Sequence, residues 1–202
     1  MRLGDSFYRR SDLLNVALEL LGKKLVVREK DDSLSAGIIV ETEAYNGIHD
    51  RACHAFNGRR TARTETMYQA GGIAYVYKTY GIHDLINIVT GGEGHPTVIL
   101  LRAIEPLMGI EKMLERRRLT NPNDYRLTAG PGMLTQALGI TLADNGTDLQ
   151  QGNRIWLEET DYHYTSEQII TSPRVGVAYA GADAFLPYRF RIKDHRWVSR
   201  AK

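Results

Sequence analysis

A chain of 202 residues, 43% hydrophobic and 25% charged, carries enough apolar material for one core of ordinary size and has the balance of a globular domain rather than a disordered or fibrous one. No apolar run approaches the ~20 residues that cross a bilayer, and the opening Met1-Arg2-Leu3-Gly4-Asp5-Ser6 runs into polar sequence without the apolar stretch of a secretory leader. The lone cysteine, Cys53, excludes an internal disulfide and suits a reducing cytoplasm, while a formal charge of +2 permits nucleic-acid binding without requiring it.

In chain order, Ser11 is placed as the N-cap of a helix whose apolar stripe is Leu14, Val16, Ala17, Leu18, Leu20 and Leu21, ended by Gly22. Leu25–Val27 and Ile38–Tyr45 read as strands joined by the turn Asp31-Asp32-Ser33. Residues 46–70 are polar and rich in Gly and Arg. They read as a long loop with some short helix, and loops of that length in compact domains usually carry function. Tyr75–Tyr80 and Leu85–Val89 form a predicted hairpin turning at Gly81–Asp84, and Thr97–Ala103 is a third apolar strand. Ile110–Arg118 reads as a helix with Met113 and Leu114 inward. Pro131 opens another helix, since its fixed φ and missing N–H suit a first turn. Asn145-Gly146 marks a turn, and Ile155–Leu157 and Tyr188–Ile192 are late strands. No internal repeat is present. The pattern predicts one α+β domain over residues 1–202, built on a largely antiparallel sheet.

Period-two geometry puts Glu41, Glu43 and Tyr45 on one strand face. Carboxylates are depleted in strands, so this face is either a special site or the water-facing side of an edge strand. Tyr75 and Tyr77 share a face, with Tyr75 reading best as core, while Tyr80 points the other way near the hairpin tip. There a wedge for a base stack is a better account than packing. His49-Asp50 and Cys53-His54 lack the paired ligands of a tetrahedral metal site, so no metal is expected. Gly91–Gly94 is a turn rather than a phosphate loop, and Cys53 has no context of a nucleophile. Basic residues gather at Arg59, Arg60 and Arg63, at Arg116–Arg118, and at Arg189, Arg191, Lys193, Arg196, Arg200 and Lys202. Each group reads as a solvated face unless the fold brings them to one side.

Val40-Glu41-Thr42-Glu43-Ala44-Tyr45, followed by Gly47, Asp50, Ala52 and His54, resembles the alkyladenine (3-methyladenine) DNA glycosylase family. The resemblance runs on through Arg60-Thr61, Arg63, Met67, Tyr75-Val76-Tyr77, Tyr80-Gly81, Asn87 and Leu100–Pro106. It continues with Gly130-Pro131, Leu134, Gln136-Ala137-Leu138, Arg174–Val177 and Trp197-Val198-Ser199, in family order over nearly the whole chain. It implies a curved sheet flanked by helices, with a protruding hairpin that enters DNA. By the same resemblance Glu43 would be the general base on the hydrolytic water, helped by Arg102 and the Val175 carbonyl. Tyr45, His54 and Tyr77 would hold a flipped base, and Asn87 would disfavour the amino group of guanine. Tyr80, with Ile82, would enter the duplex, and Arg60 and Arg63 would meet the DNA backbone. The implied partner is double-stranded DNA with damaged purines, met by a monomer in the cytoplasm, associated with a bacterial nucleoid, without cofactor.

Three positions depart from the family pattern: Met133 where a basic residue is expected, His83 near the tip, and a longer Gly91–His95 loop that could disturb the alignment of Asn87 with Arg102. Two other readings stand beside the glycosylase. One is a lesion-binding protein without catalysis, against which Glu43, Arg102 and the Arg174-Val175-Gly176 block argue. The other is a binding module for RNA or a carrier, built on the domain shared with formyltransferases.

Overall fold

The computed structural model describes residues 1–201. Its frame is an eight-stranded sheet: β1 (Lys24–Arg28), β2 (Leu34–Tyr45), β3 (Ala74–Thr79), β4 (His83–Thr90), β5 (Thr97–Met108), β6 (Ile155–Glu158), β7 (Ile169–Ser172) and β8 (Arg189–Ile192). The main order is β3-β4-β5-β2-β1-β6, with every pair antiparallel. β2 is long enough to change partners on one side. Its start lies along β1 and its Glu41–Glu43 stretch lies along β8, which in turn carries β7, while β5 follows the other side. The sheet curls into a half-barrel flanked by α1 (Asp5–Tyr8), α2 (Leu13–Glu19), α3 (Ile110–Arg117) and α4 (Pro131–Leu138). The α+β class and antiparallel sheet expected from the sequence are those observed. No helix among the described residues is long and apolar enough to cross a membrane.

Alternation along each strand separates two faces. Ile39, Ala44, Val76, Ile86, Ile88, Ile99, Leu101 and Ala103 turn to the main core, where Val16, Ala17 and Leu20 of α2 and Leu134, Ala137 and Leu138 of α4 cover them. Thr42 belongs to this side too, and its hydroxyl donates to the Ala17 carbonyl at 2.9 Å. The alternate residues, Glu41, Glu43, Tyr45, Tyr75, Tyr77, Asn87, Leu100 and Arg102, turn to the other side. There the 46–70 segment closes over Tyr75, Val89 and Val98 with Cys53, Ala55, Met67 and Tyr68. That segment holds three short 3-10 turns, Gly47–His49, Phe56–Gly58 and Glu65–Tyr68, as the loop reading anticipated.

Register between β2 and β5 breaks twice around Glu41. Ile39 faces Ile104, Glu41 faces Ala103 and Thr42 faces Leu101, so Val40 on one strand and Arg102 on the other are each passed over. Bulges of this kind turn a strand and re-aim a side chain, and here the re-aimed side chain is Arg102.

Several expectations move. α2 begins after Asp12 rather than Ser11, and no side chain caps it, since the Asp12 carboxylate is held by Arg10. Its buried stripe is Leu13, Val16, Ala17 and Leu20, at helical spacing, whereas Leu14 is 37% exposed. The helix stops at Glu19, and Gly22 follows at φ +90° against the Tyr162 carbonyl, where a Cβ would lie 2.5 Å away. The hairpin turn is Tyr80–Ile82, not Gly81–Asp84. Tyr80 and Gly81 both have positive φ (49° and 69°) and the Ile82 N–H donates to the Thr79 carbonyl at 3.1 Å, so the strand resumes at His83. β7, four residues paired only to β8, was not anticipated.

The three basic groups are used in different ways: Arg63 and Arg117 line one cavity, while others are held by carboxylates. Arg189 is buried against Glu41, Arg116 pairs with Glu29 at 2.7 Å and Arg60 with Glu65 at 2.6 Å; Lys202 lies outside the described residues.

Leu101 is fully buried where β5 meets the helices. Leu101→Ala is expected to lower unfolding stability by about 2–5 kcal/mol in denaturant titration. Leu14→Ala, at the half-exposed helix position, is expected to stay within about 0.5 kcal/mol of the parent protein.

Candidate active site

The face opposite the helices opens into a cavity of about 490 Å³. β2, β3, β4 and β5 supply its sheet wall, and the 46–70 segment, the start of α4 and the 175–179 loop close the rest. Tyr45, His54, Arg63, Tyr77, Tyr80, Asn87, Arg102 and Val175 all line it. Residues up to 130 positions apart in sequence are thus brought to one space.

Glu43 is fully buried and is not itself part of the lining; it stands directly behind the wall, bonded to three residues that do line the cavity, Tyr45, Arg102 and Val175. Its Oε1 accepts the Val175 N–H at 2.7 Å, and its Oε2 accepts the Tyr45 hydroxyl at 2.9 Å. Arg102 Nη1 stands 3.3 Å from the same Oε2. An N⁺–H···O⁻ bond at full strength is about 2.7–2.9 Å, so this contact leaves Oε2 and the guanidinium with capacity for another polar atom. Burial opposes the Arg102 charge, but Glu43 and Glu41 outweigh it and its pKa lies above the ordinary value. Burial, and then the Glu43 charge, push the Tyr45 pKa well up, so the phenol stays protonated and donates to the carboxylate. The edge-strand reading of the Glu41–Tyr45 face does not hold, because β2 is an interior strand and both glutamates are fully buried.

Val175 reaches Glu43 because Arg174 anchors its loop. Arg174 forms a buried bidentate pair with Asp50, one arm at 2.8 Å, and donates to the Ala44 carbonyl at 2.9 Å. Its guanidinium also lies 4.7 Å from the Tyr45 ring centroid and 5.2 Å from that of Tyr188. Asp50 and Arg174 stand in the family-like blocks, but nothing in the spacing of residues 124 apart announces their pairing.

The aromatic wall is organised around His54. Its Nδ1 lies 3.0 Å from the Tyr75 hydroxyl and its Nε2 3.3 Å from Arg63 Nη2. A guanidinium can only donate, so Nε2 accepts and the proton sits on Nδ1, donating to Tyr75. Burial first, then the Arg63 and Arg59 charges, lower the His54 pKa to about 4. The ring meets Tyr77 edge to face at 4.6 Å, and Arg63 lies 4.8 Å from the Tyr77 centroid. Tyr75, read as core, is 1% exposed, yet it also carries the hydrogen bond that orients His54. Asn87 is buried, and its amide donates to the Tyr75 carbonyl at 3.1 Å, which fixes which way the side chain presents its oxygen.

At the rim, Tyr80 is 89% exposed while still bordering the cavity, and Ile82 is 73% exposed beside it on the turn. Ile82 and Arg60 lie outside the cavity lining. The hairpin is braced from behind by α4. Thr135 Oγ1 donates to the Asp84 carbonyl at 2.5 Å, and the His83 ring lies so close to Gly132 that a Cβ there would be 2.9 Å from it. His83 thus lies against the start of the helix while remaining exposed, and it also lines the cavity. Met133 borders the cavity. The Gly91–His95 loop leaves register intact, since Thr90 faces Thr97 and Asn87 faces Leu100, two residues before Arg102. Tyr179, not singled out from the sequence, is 70% exposed at the opposite rim, with its hydroxyl on the Ala52 carbonyl at 3.1 Å. Among the described residues no group of three His, Cys, Asp or Glu side chains could hold a metal ion.

Residues 6–196 match the family described as methylpurine-DNA glycosylase (MPG). The chain belongs to this family. A relative in Chlamydia felis is 44% identical over 190 residues, covering 94% of this chain and 95% of its own length. One in Bacillus cereus is 43% identical over 206 aligned positions, covering 99% of this chain and all of the relative. A third, in Desulfitobacterium hafniense, is 43% identical over 204, with 98% of each chain covered. Each is provisionally named a 3-methyladenine DNA glycosylase. Membership of the methylpurine-DNA glycosylases places the chain among the DNA-binding hydrolases of base excision repair.

The low pKa of His54 has a thermodynamic consequence. An unfolded histidine takes its proton at about pH 6.5, whereas His54 in the folded chain does so at about 4. Between those values the unfolded state binds more protons, so this residue makes stability fall as pH drops from about 6.5 to about 4. NMR titration of the His54 ring is expected to show its midpoint near the lower value, and His54→Gln is expected to flatten the stability–pH slope over that window.

Proposed function

We propose that the protein flips a damaged purine out of duplex DNA into this cavity and hydrolyses its N-glycosidic bond with water activated by Glu43. One observation carries the reading. A fully buried carboxylate, bonded to the Val175 N–H and the Tyr45 hydroxyl and faced by Arg102, sits directly behind the wall of an aromatic cavity of about 490 Å³ that these three partners line. A cavity of that size takes a purine, and its tyrosines return the stacking that extrusion removes. Alkylated purines that carry positive charge gain further from π faces.

Hydrolysis passes through a cationic sugar. Glu43 removes a proton from water and its negative charge stabilises the developing cation, while Arg102 and the Val175 carbonyl orient the water. Tyr45 and Tyr77 flank the base, with His54 as the neutral buttress of Tyr77 and a source of hydrogen bonds to the base edge. Asn87 disfavours the guanine amino group. Tyr80, with Ile82, fills the gap left in the duplex, and Arg60 and Arg63 meet the backbone. No lysine lines the cavity among the described residues, which supports water rather than an amine as nucleophile and hence a monofunctional enzyme. The lesion set is 3-methyladenine, 7-methylguanine, hypoxanthine and ethenoadenine. An asymmetric lesion asks for no two-fold partner, so the acting species is a monomer.

Base release measured by mass spectrometry tests the reading, on duplexes carrying a single 7-methylguanine, hypoxanthine or ethenoadenine. The parent protein is expected to release base and Glu43→Gln to lose at least about 100-fold in rate while still binding the lesion. Tight binding with no release by either protein would favour a non-catalytic lesion binder. In the same duplexes Tyr80→Ala is expected to weaken lesion binding by roughly 10-fold, the loss of one stacking contact.

A further inference from the structure

The second strand glutamate, Glu41, has no part in the chemistry above, yet its carboxylate accepts four hydrogen bonds. Its Oε1 accepts Arg102 Nε at 2.8 Å, Arg189 Nε at 2.8 Å and the Ser199 hydroxyl at 2.9 Å; its Oε2 accepts the Ser199 N–H at 2.7 Å. Glu41 is fully buried, and Arg189, Arg102 and Ser199 are 3%, 5% and 6% exposed. The formal charges of Glu41, Glu43, Arg102 and Arg189 cancel.

We propose that Glu41 is a positioning residue for base release: with Ser199 it fixes the Arg102 guanidinium so that one arm faces Glu43 without capturing it. The inference rests on the glycosylase reading given above. A guanidinium is a rigid planar fork. With Nε on Glu41 and Nη2 3.4 Å from the Ser199 hydroxyl, the remaining arm, Nη1, has only the Glu43 side to face, at 3.3 Å. The backbone adds its own constraint, since Arg102 sits at the bulge residue of β5, passed over between Ala103 and Leu101 opposite Glu41 and Thr42. Arg189 supplies the second positive charge, so Glu41 is satisfied without drawing Arg102 away entirely, and Arg189 is itself tied to the Ala201 carbonyl at 3.1 Å. Removing the Glu41 charge leaves two arginines beside one carboxylate. Arg102 then closes on Glu43, occupies the oxygen that should receive the water proton, and the base is quenched.

The test uses the full chain, with single-turnover base release and equilibrium binding to the same lesion duplex read separately. Glu41→Gln is expected to slow release by about 100-fold, the scale of a small misplacement of a catalytic group, with lesion affinity little changed. Ser199→Ala, which keeps the N–H contact and removes only the hydroxyl, is expected to slow release in the same direction by on the order of 10-fold. Because Glu41 acts through Glu43, the double variant Glu41→Gln with Glu43→Gln is expected to be no slower than Glu43→Gln alone. Parental release rates in both Glu41→Gln and Ser199→Ala would overturn the inference and leave the glycosylase reading standing. So would a double variant that loses the full Glu41→Gln factor again, since that is how an independent structural role behaves. Should Glu41→Gln not fold, Ser199→Ala decides the matter: a parental rate there rejects the proposal. Absence of release from the parent protein would instead reject the glycosylase reading itself, and this inference with it.

Discussion

The protein depends on neutralising charge that its sheet buries. Glu41 and Glu43 leave the same side of β2, away from water, and an ionised carboxylate in such a place must be paired and hydrogen-bonded. Each partner comes from far along the chain: Arg102 from β5, Arg189 from β8, Ser199 from the C-terminal segment and the Val175 N–H from the loop after β7. The Arg174–Asp50 pair repeats the logic beside it. Breaking one member of such a pair typically costs about 3–5 kcal/mol because a charge is left stranded. These bonds fasten the C-terminal third of the chain onto its first long strand. The same contacts that close the fold also orient the proposed base.

In front of that buried charge cluster the protein builds an apolar and aromatic wall by a simpler rule. Four neighbouring strands alternate, and their second faces meet in one concave surface. The main core takes the aliphatic residues, and the cavity face takes the tyrosines, Asn87 and Arg102. His54 stays neutral because it is buried beside two arginines, and it is held between Tyr75 and Arg63. A neutral ring of fixed tautomer can brace Tyr77 without adding positive charge to a pocket proposed to receive cationic purines. The rim is different in kind: Tyr80 and Ile82 stand out into solvent on a tight turn whose two central residues have positive φ. A non-glycine residue rarely takes that conformation, and at Tyr80 it serves to project a ring away from the strand that carries it.

Much of this was legible in the sequence, and the reasons are local. Alternation placed Glu41, Glu43 and Tyr45 together, and likewise Tyr75 with Tyr77, because strand geometry has period two whatever the partner strand. Pro131 opened its helix as its backbone requires. Errors fell where local preference met competition: Asp12 displaced Ser11 at the start of α2 while its own carboxylate went to Arg10, and β7 is too short to declare itself outside its pairing with β8. The basic clusters read as solvated faces, yet Arg189 and Arg116 serve buried carboxylates instead.

By itself the sequence determined most of the elements, which residues of a strand share a face, and a family resemblance over nearly the whole chain, since all of these follow from short-range geometry or from residue order. Tertiary structure alone decided the partners. That Glu41 is the anchor of Arg102, that Val175 offers its N–H to Glu43, and that Arg174 secures that loop through Asp50 are facts about segments 61 to 132 residues apart. Pairing of this kind leaves no periodic trace, because any buried carboxylate needs a donor and only the folded path of the chain determines which donor reaches it.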